Sequence, residues 1–530
     1  MNNKRKMRKK GFLWVVVVAF ASIVNAKDYN VTDFGAIGDG KTKNTVYIQQ
    51  AVDRCAAEGG GRVVVPSGVY VTGTIFLRSH VNLHLEQNAE LSGSKELNDY
   101  PDLAQDRKGV VHATNIEDAS ITGFGTINAN GCDLVFQSGD SAPLRPHVVI
   151  FKNCRRMHIQ DVTLRNAADW TFRIWDCDEV FVRGIRVYSH CNFNNDGIDI
   201  DARNVVVSDC MIESTDDGIC FKSNHKENLC ENVTVTNCVI ASNCNAIKFG
   251  TASLSGFKNI TVSNCVIKTP AENDLFGYKA HMVPGVTAPV NNNSGISIEM
   301  VDAGLLEKIS ITNITMQDVL TPIFIRLGAR RPRPVKYLKD IVISNIIANG
   351  ESLMTSSITG IPGYYAENIK ISNVIFNCPG GGLADHVKRE IPEKEKTYPE
   401  NKMFGPNLPA YGFFVRHARN VTLENVRFNL RYKDVRHAFW LEDAINVKVL
   451  NPESDDHTSD EALVYVKNSN NVTVSGYSSP NVLPLFLKTE GKDNSRIKLV
   501  MNDFSTVKKV VDLSPEVEKG KVIMMSNIEK

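Results

Sequence analysis

The chain has 530 residues, of which 42% are hydrophobic and 22% charged, a composition typical of a globular protein with a large core. Glycine and proline number 36 and 20, too few for a collagen-like or low-complexity chain. Residues 1–26 hold six of the 60 basic residues and no acidic one, so the remainder carries 54 basic against 59 acidic residues. This slight acidic excess argues against a nucleic-acid-binding protein.

The first predicted element is a secretory signal peptide over residues 1–26. Basic residues at 4–10 precede a short apolar run at 12–24, and the segment ends in Val24-Asn25-Ala26. The apolar run is shorter than a membrane span requires, although an uncleaved anchor is the alternative. We expect cleavage after about Ala26 and a secreted or periplasmic protein that does not contact the membrane afterwards.

An amphipathic helix is predicted near the start of the mature chain, because Ile48, Ala51, Val52 and Cys55 recur at the spacing of one helical face. The repeat that follows it forms strands whose edges and core need a cover at the end. The helix is therefore predicted to be an N-terminal cap.

A phrase of alternating apolar residues that ends in Asn or Asp recurs along the chain, as in VVVSDC at 205–210. The Asn or Asp falls at positions 153, 176, 209, 237, 264, 313, 345, 373, 425 and 451. Most gaps are close to 28 residues, and the two near 50 indicate double steps or insertions. Each phrase predicts a short strand followed by a turn, and a repeat of this length indicates a solenoid.

These observations predict an all-β fold, a right-handed parallel β-helix. Propeller blades need longer repeats, and the leucine ladder of leucine-rich repeats is absent from the sequence. Asn tolerates positive φ and can form a hydrogen-bonded ladder at the recurrent turn. The cysteine that often follows it points inward, so most of the 12 cysteines are predicted to be buried thiols without disulfide bonds.

A long surface loop is predicted at about 378–411, where proline, glycine and charged residues are concentrated. The strand phrase resumes at 421, so the segment interrupts the repeat and does not link two domains. We therefore expect residues 27–530 to form a single parallel β-helix domain.

Three aspartates fall at turns of successive predicted coils. Asp196 precedes one strand, and Asp216 and Asp217 precede another about 20 residues later. Neighbouring strands lie about 4.8 Å apart, so the three carboxylates are predicted to share one face. Close carboxylates shift one another's pKa, which supplies the acid and the base that hydrolysis of a glycosidic bond requires. Turn capping and calcium binding are the alternatives.

Basic residues occur on later coils, at Lys248 and Arg326. Cations beside the carboxylates would suit an acidic sugar, and a solvated charged surface is the alternative. The sequence has no cysteine and histidine spacing of a zinc site. We expect no metal and no other cofactor.

At these residues the chain resembles glycoside hydrolase family 28, the polygalacturonases and their relatives. Asn194-Asn195-Asp196-Gly197 is similar to the family motif Asn-Thr-Asp-Gly, and Asp216-Asp217 is similar to its aspartate pair. Segments 123–131, 145–154 and 166–177 also resemble the family, and the resemblance covers residues 28–480. It implies a right-handed parallel β-helix enzyme.

The resemblance implies inverting hydrolysis of glycosidic bonds in pectic polysaccharides or oligosaccharides that contain galacturonic acid. Asp216 is implied to be the general acid, and Asp196 and Asp217 are implied to orient and deprotonate the attacking water. Asn194 is implied to contact the substrate. Inverting enzymes typically hold their carboxyl groups about 6.5–9.5 Å apart. No partner besides the substrate is expected, and the protein is expected to be a monomer.

Two motifs depart from the family. Cys244-Asn245-Ala246 stands where the family has Gly-His-Gly, and Ser297-Ile298-Glu299 stands where it has Arg-x-Lys. The family uses these groups to contact uronic acid at the cleavage site, so a rhamnogalacturonan or a decorated or short pectic oligosaccharide is expected. Candidate replacement contacts are Lys222, His225, Asn245, Lys248 and Arg326.

Two other functions remain compatible with the sequence. A pectate-type polysaccharide lyase on the same fold would need a lysine or arginine base and usually calcium. A non-catalytic carbohydrate-binding solenoid would bind pectic chains without turnover.

Overall fold

The computed structural model describes residues 27–529 except 102, 104–106, 137–144, 191, 193, 270–291, 455–456 and 458. The predicted signal peptide at 1–26 lies outside the described residues. Helix α1 spans Thr45–Ala57 and α2 spans Ala384–Val387. Short 3-10 helices lie at Val31–Phe34, Leu97–Asp99, Leu134–Phe136, Asn401–Phe404 and Lys519–Lys521.

Strands make up most of the described chain. The first eighteen are β1 (Asp28–Asn30), β2 (Asp39–Lys43), β3 (Gly61–Val65), β4 (Gly68–Thr72), β5 (Ile75–Phe76), β6 (Val81–Leu85), β7 (Ala89–Gly93), β8 (Gly109–Thr114), β9 (Ser120–Gly123), β10 (Thr126–Asn128), β11 (His147–Lys152), β12 (Arg155–Gln160), β13 (Thr163–Arg165), β14 (Phe172–Arg183), β15 (Arg186–Ser189), β16 (Ile198–Ser208), β17 (Met211–Ser214) and β18 (Ile219–Ser223). The others are β19 (Cys230–Thr236), β20 (Val239–Ser242), β21 (Asn245–Ser253), β22 (Gly256–Lys268), β23 (Ser294–Met300), β24 (Leu305–Val319), β25 (Thr321–Leu327), β26 (Tyr337–Gly350), β27 (Ser356–Thr359), β28 (Ala366–Cys378), β29 (Ala410–Leu430), β30 (His437–Leu450), β31 (Val464–Lys467), β32 (Asn470–Ser475), β33 (Leu483–Glu490), β34 (Ile497–Val500), β35 (Val507–Leu513) and β36 (Val522–Met525).

The strands pair in parallel and form three stacks. Each coil adds one strand, or one part of a long strand, to every stack. The first stack runs through β3, β6, β9 and β12, and the second runs through β4, β7, β10 and β13. The third stack runs through β8, β11, β14, β16, β18, β21, β23 and β25. Parallel strands joined by crossovers wind right-handedly. The predicted all-β, right-handed parallel β-helix is confirmed.

The core lies inside the coils, because alternate residues of each strand point inward. In the third stack Ile198, Ile219, Ile247 and Ile296 occupy one inward position on successive coils, and each is fully buried. Burying such a side chain stabilises the fold by about 1.5–3 kcal/mol. The residues between them point outward and are free to carry chemistry.

A ladder of polar side chains runs along the turns, as predicted. All ten recurrent Asn or Asp residues have positive φ, between 49° at Asn451 and 60° at Asp209. Their side chains bond from coil to coil: Asn345 Nδ2 donates to Asn313 Oδ1 over 3.1 Å. A second ladder, which the sequence analysis missed, joins Asn259 to Asn232 over 3.0 Å and Asn232 to Asn204 over 3.1 Å.

The two long gaps in the repeat are insertions and not double steps. Asn313 Nδ2 donates directly to Asn264 Oδ1 over 3.0 Å, and Asn425 Nδ2 donates to Asn373 Oδ1 over 2.8 Å. Each pair therefore belongs to adjacent coils. The second insertion is the predicted loop, which leaves β28 at Cys378 and rejoins the stack at β29.

The predicted helix is present as α1, with Ile48, Ala51, Val52 and Cys55 buried. Its role as a cap stays a prediction. No helix among the described residues combines the length and the apolar composition that crossing a membrane requires.

The cysteines behave largely as predicted. No disulfide joins the described cysteines, and all of them except Cys132 are buried. Those that follow the ladder residues point into the coils, at positions 154, 177, 210, 238 and 265.

Candidate active site

The three predicted aspartates lie at the entrance to adjacent strands of the third stack. Asp196 stands two residues before β16, and Asp217 stands two residues before β18. The turns are joined by backbone bonds: Gly197 N donates to Asp217 O, and Gly218 N donates to Asn245 O, each over 2.8 Å. Asp196, Asp217 and Asn245 are thereby stacked on three successive coils.

The carboxylates come close to one another. A side-chain oxygen of Asp196, an oxygen of Asp217 and the Cys220 sulfur all lie within 4.8 Å of one another. Oxygens of Asp216 and Asp217 lie equally close. Asp196 and Asp217 are buried, whereas Asp216 is half-buried and has the greatest access to solvent. The predicted gathering of the three acids on one face is therefore present.

Two lysines lie among these carboxylates. Lys222 Nζ is 3.1 Å from Asp196 Oδ2 and 3.3 Å from Oδ1 of Asp199. Lys248 Nζ is 3.2 Å from Asp217 Oδ2. Both lysines are predicted site residues, and both are buried. Asp199 was not predicted, although it lies between Ile198 and Ile200 and must therefore point outward beside Asp196.

The environment separates the pKa values of the two buried catalytic candidates. Burial, reinforced by Asp199, raises the pKa of Asp196 well above its ordinary value. Burial also raises the pKa of Asp217, but Lys248, Lys222 and a hydrogen bond outweigh it, and the net pKa is lowered. The lysines therefore favour the ionised form of Asp217, whereas burial and Asp199 oppose the ionisation of Asp196, which Lys222 favours.

The two motifs that depart from the family pattern lie beside Asp217. Asn245 Nδ2 donates to Asp217 Oδ1 over 2.9 Å. Glu299 is fully buried, lies 3.8 Å from Lys248 Nζ, and accepts from Ser297 Oγ over 2.7 Å. Burial raises the pKa of Glu299 to about 7, with Lys248 opposing the shift. Glu299 therefore extends the buried charge network and presents no cation to a sugar.

The family model for glycosyl hydrolases family 28 matches residues 55–389, which is more than half of the chain. The chain belongs to this family. The predicted resemblance is thus confirmed, and the matched range contains the whole carboxylate and lysine cluster.

Curated relatives share part of their length with this chain. A probable polygalacturonase of Vitis vinifera is 30% identical over 240 residues, which cover 41% of this chain and 49% of the relative. An exo-poly-alpha-D-galacturonosidase of Dickeya chrysanthemi is 28% identical over 255 residues, which cover 37% of this chain and 42% of the relative. The chain therefore spans about half the length of the curated relatives that it matches.

Solved structures share the fold. A hyperthermoactive exopolygalacturonase from Thermotoga maritima has a TM-score of 0.59 at 20% identity, over 76% of this chain and 92% of that chain. The family 28 exopolygalacturonase of Yersinia enterocolitica has a TM-score of 0.59 at 19% identity, over 81% of this chain and 78% of that chain. At this identity the likeness establishes the family 28 fold.

The nearest oxygens of neighbouring carboxylates are closer together than the typical spacing of whole carboxyl groups in an inverting enzyme, and the two distances are different measures. Oxygens of Asp216 and Asp217 lie within 4.8 Å, and so do oxygens of Asp196 and Asp217. Inverting enzymes typically show about 6.5–9.5 Å between carboxyl groups. The stereochemical outcome in this family 28 chain must therefore be argued from the contacts of each oxygen.

An arginine pocket adjoins the carboxylates on the side of the earlier coils. This cavity of about 380 Å³ is lined by residues that include Arg107, Arg145, His147, Trp170, Arg173 and Asn194. Its acidic member, Asp169, is outnumbered by the arginines. The size falls within the roughly 300–1,000 Å³ of ligand sites, and the charge suits an anion.

Among these groups, Arg173 is held chiefly by aromatic rings. Its side chain is nine-tenths buried. It makes no hydrogen bond or ion pair with another described residue. Its guanidinium lies over Trp170 at 5.0 Å and Trp175 at 4.0 Å. Arg173 lies in segment 166–177, which resembles the family, but it was not among the predicted site residues. The alternation Phe172-Arg173-Ile174-Trp175 is the signal that places it on the outer face.

Of the other predicted substrate contacts, Asn194 is exposed and accepts from Arg145 Nη2 over 3.2 Å at the arginine pocket. His225 lies apart from the carboxylate cluster, and its Nε2 accepts a hydrogen bond from Trp175 Nε1 over 2.8 Å. Arg326 is fully buried, and its guanidinium donates to Gly360 O over 2.7 Å and Glu393 O over 2.8 Å. The structure does not bring Arg326 together with the carboxylates.

The carboxylate cluster does not fit a metal ion, although Asp196, Asp217 and Cys220 have a ligand-like spacing. The ammonium groups of Lys222 and Lys248 already lie 3.1–3.2 Å from these carboxylates and neutralise them. A cation placed among them would be repelled by both lysines.

Proposed function

We propose that this chain is an inverting glycoside hydrolase that cleaves glycosidic bonds in pectic polysaccharides or oligosaccharides containing galacturonic acid. The observation that carries the proposal is the cluster of Asp196, Asp216 and Asp217 on adjacent coils of a family 28 chain. The adjacent arginine pocket supports an acidic substrate. The names of the relatives, which are polygalacturonases, agree with this substrate class.

Asp216 is proposed as the general acid, because it is the most accessible of the three and can reach a leaving oxygen at the surface of the groove. Asp217 is proposed as the base, since its lowered pKa keeps it ionised. Asp196 is proposed to orient the attacking water, because its Oδ2 is held by Lys222 while the carboxyl faces Asp217.

The contacts of Asp217 favour water over the carboxylate as the nucleophile. Its Oδ1 accepts from Asn245, and its Oδ2 faces Lys248 at 3.2 Å. A carboxylate that attacks the sugar directly must release one of these charge-assisted contacts. Water held between Asp196 and Asp217 attacks without that loss, and the product anomer is then inverted.

The lyase alternative requires a lysine or arginine that can act as a base. Asp196, Asp199 and Asp217 raise the pKa of Lys222 against the effect of its burial, and Asp217 and Glu299 do the same for Lys248. Both ammonium groups are therefore held protonated. Hydrolysis is the better supported of the two reactions.

The experiment compares Asp216→Asn and Asp217→Asn with wild type on a panel of pectic polymers and oligosaccharides. Each variant is expected to lose activity about 100-fold or more, the contribution of one positioned proton donor or acceptor. Asp209→Asn is the matched control, because its position on the ladder carries Asn on other coils and lies on the outside. Wild-type rates in both site variants would refute the assignment.

NMR of the first product then reads its anomer, and an unsaturated product seen by ultraviolet absorbance would instead identify a lyase. Binding of the panel by the wild type without any turnover would identify a non-catalytic solenoid. Retention of the anomer would leave hydrolysis standing and assign Asp217 as the nucleophile.

We also propose that the protein is exported, that the signal peptide is removed after about Ala26, and that the remainder acts as a monomer of one β-helix domain capped by α1. The basic and apolar pattern of residues 1–26 supports export. N-terminal sequencing of the exported protein and light scattering of the purified chain test these statements.

A further inference from the structure

The outward positions of the third stack fall into one row, which we call the outer row. In chain order it passes through Arg173, Asp199, Cys220, Lys248, Ser297, Phe324, Ser357, Phe414 and Trp440, which face one another strand by strand. The row changes character at β25. It is charged and polar up to Ser297, and it turns largely aromatic from Phe324 onward.

The aromatic part of the outer row is covered by the loop of residues 378–411. Phe404 and Leu408 of the loop form a buried apolar cluster with Phe324, Phe414 and Trp440. The ring centroids of Phe404 and Phe414 are 6.3 Å apart. A sugar chain cannot lie on this part of the row, because loop side chains already fill it.

Buried arginines fix the loop in this position. Arg416 donates to Ile391 O over 2.7 Å and to Pro392 O over 3.0 Å. Arg326 donates to Glu393 O over 2.8 Å. Arg326 and Arg416 are nearly inaccessible, so detaching the loop would remove both of these carbonyl acceptors from Arg416 and one of two from Arg326.

The loop also reaches the catalytic cluster itself. Asn401 Nδ2 donates to Asn293 O over 2.5 Å and to Thr321 Oγ1 over 3.1 Å, which ties the loop across β23 and β25. The Tyr398 ring lies 5.7 Å from Lys248 Nζ and 5.7 Å from the Arg330 guanidinium. Tyr398 therefore stands as a wall at the side of the cluster that faces the later coils, and it is half-exposed.

No element among the described residues covers the opposite side of the cluster in this way. The arginine pocket opens there, with the guanidinium of Arg173 stacked on Trp170 and Trp175. Lys222 Nζ lies 4.8 Å from the Trp170 ring, so a lining residue of the pocket is next to the carboxylate cluster. As far as the described residues show, the groove is open toward the earlier coils and closed toward the later ones.

We infer that the loop of residues 378–411 restricts this enzyme to the ends of its substrate chains, with an acidic sugar held by Arg173 in the arginine pocket. This inference rests on the proposed function. A chain that enters from the earlier coils meets Tyr398 just beyond the cleavage site, so an internal bond cannot extend across the cluster on both sides.

The first test uses the wild-type protein on polygalacturonan and on oligogalacturonides of defined length labelled at the reducing end. Reducing ends are expected to accumulate with little early loss of viscosity, and oligomers are expected to shorten from one end only. The position of the label shows which end. Rapid loss of viscosity with products of mixed length overturns the inference while the proposed function stands. Absence of hydrolysis overturns the inference for galacturonan chains, and the panel of pectic polymers and oligosaccharides then decides the proposed function separately.

The second test opens the closed side. Tyr398→Ala and Phe404→Ala are expected to yield internal cleavage products that the wild type does not form. Tyr432→Ala, an exposed aromatic residue outside the loop, is the matched control and is expected to keep the wild-type pattern. If folded Tyr398→Ala and Phe404→Ala proteins still cut only at chain ends, the loop is not the restriction.

The third test examines the open side. Arg173→Gln is expected to raise KM about tenfold or more for a free oligogalacturonide, the loss of one charge-assisted hydrogen bond. The methyl-esterified oligomer lacks the carboxylate, so its KM should change little. An equal rise for both substrates would show that Arg173 only supports the fold, and it would remove the acidic sugar from the arginine pocket.

Discussion

Replacing Glu299 by glutamine tests the electrostatic reasoning on which the site depends. Glu299 is fully buried, and its pKa rises from the ordinary 4.5 to about 7, chiefly because burial disfavours its charge. The folded protein therefore keeps a proton on this carboxyl over a range in which the unfolded chain has already released it. Folded-state stability must then fall as the pH rises through that interval.

The magnitude follows from the size of the shift. One pKa unit corresponds to about 1.4 kcal/mol, so a shift from 4.5 to about 7 lowers the free energy of unfolding by about 3 kcal/mol between pH 4.5 and pH 7. Below the interval both states are protonated, and above it both are ionised, so the contribution is constant there. Glutamine does not titrate and keeps the shape of the side chain.

The assay is urea unfolding of wild type and Glu299→Gln at about pH 5 and pH 8. The free energy of unfolding of the variant, relative to wild type, is expected to increase by up to about 3 kcal/mol from the lower to the higher pH. Glu307→Gln is the control, because the pKa of Glu307 is lowered from 4.5, so its difference from wild type should hardly change between pH 5 and pH 8. A difference for Glu299→Gln that does not change with pH would refute the burial argument.

Three further outcomes are expected. Lys248→Met removes a cation that pairs with the buried Asp217. The free energy of unfolding in urea should fall by about 3–5 kcal/mol, and activity should appear only at a higher pH. Asn232→Ala removes two ladder hydrogen bonds and places alanine at a positive φ, which it adopts less readily than asparagine. The free energy of unfolding should fall by about 2 kcal/mol in the same assay, and by less for Asn232→Gly. Of the described cysteines Cys132 alone is exposed, so Cys132→Ser should remove one fast equivalent from thiol titration of the native protein.

The coils could be predicted because their information is local. An alternation of period two decides which residues point inward, and Asn decides where the chain turns, so the ladder positions followed from short segments. The stacking of coils then brought Asp196 near Asp217 without further assumptions. The same alternation predicts that Asp199 and Arg173 point outward, because each stands between two buried residues. A search limited to family motifs does not find them.

The loop contacts could not be predicted in this way. Tyr398 meets Lys248 across 150 residues of sequence, and Phe404 meets Phe324 across 80. An irregular segment has no period that fixes its path, and only the packed structure shows which strands it covers. The same reason explains Arg326, whose guanidinium donates to Gly360 O and to the loop carbonyl Glu393 O and does not contact the catalytic carboxylates.

The asparagine ladders restrict the hosts in which this protein can be produced. Five ladder residues, Asn232, Asn259, Asn313, Asn420 and Asn471, begin Asn-x-Thr sequences that a eukaryotic secretory pathway recognises for glycosylation. In the folded protein each of these residues donates through its Nδ2 to the coil before it. A glycan attached during synthesis would occupy that nitrogen before the coils close, so recombinant secretion from yeast should give poorly folded material unless these threonines are replaced.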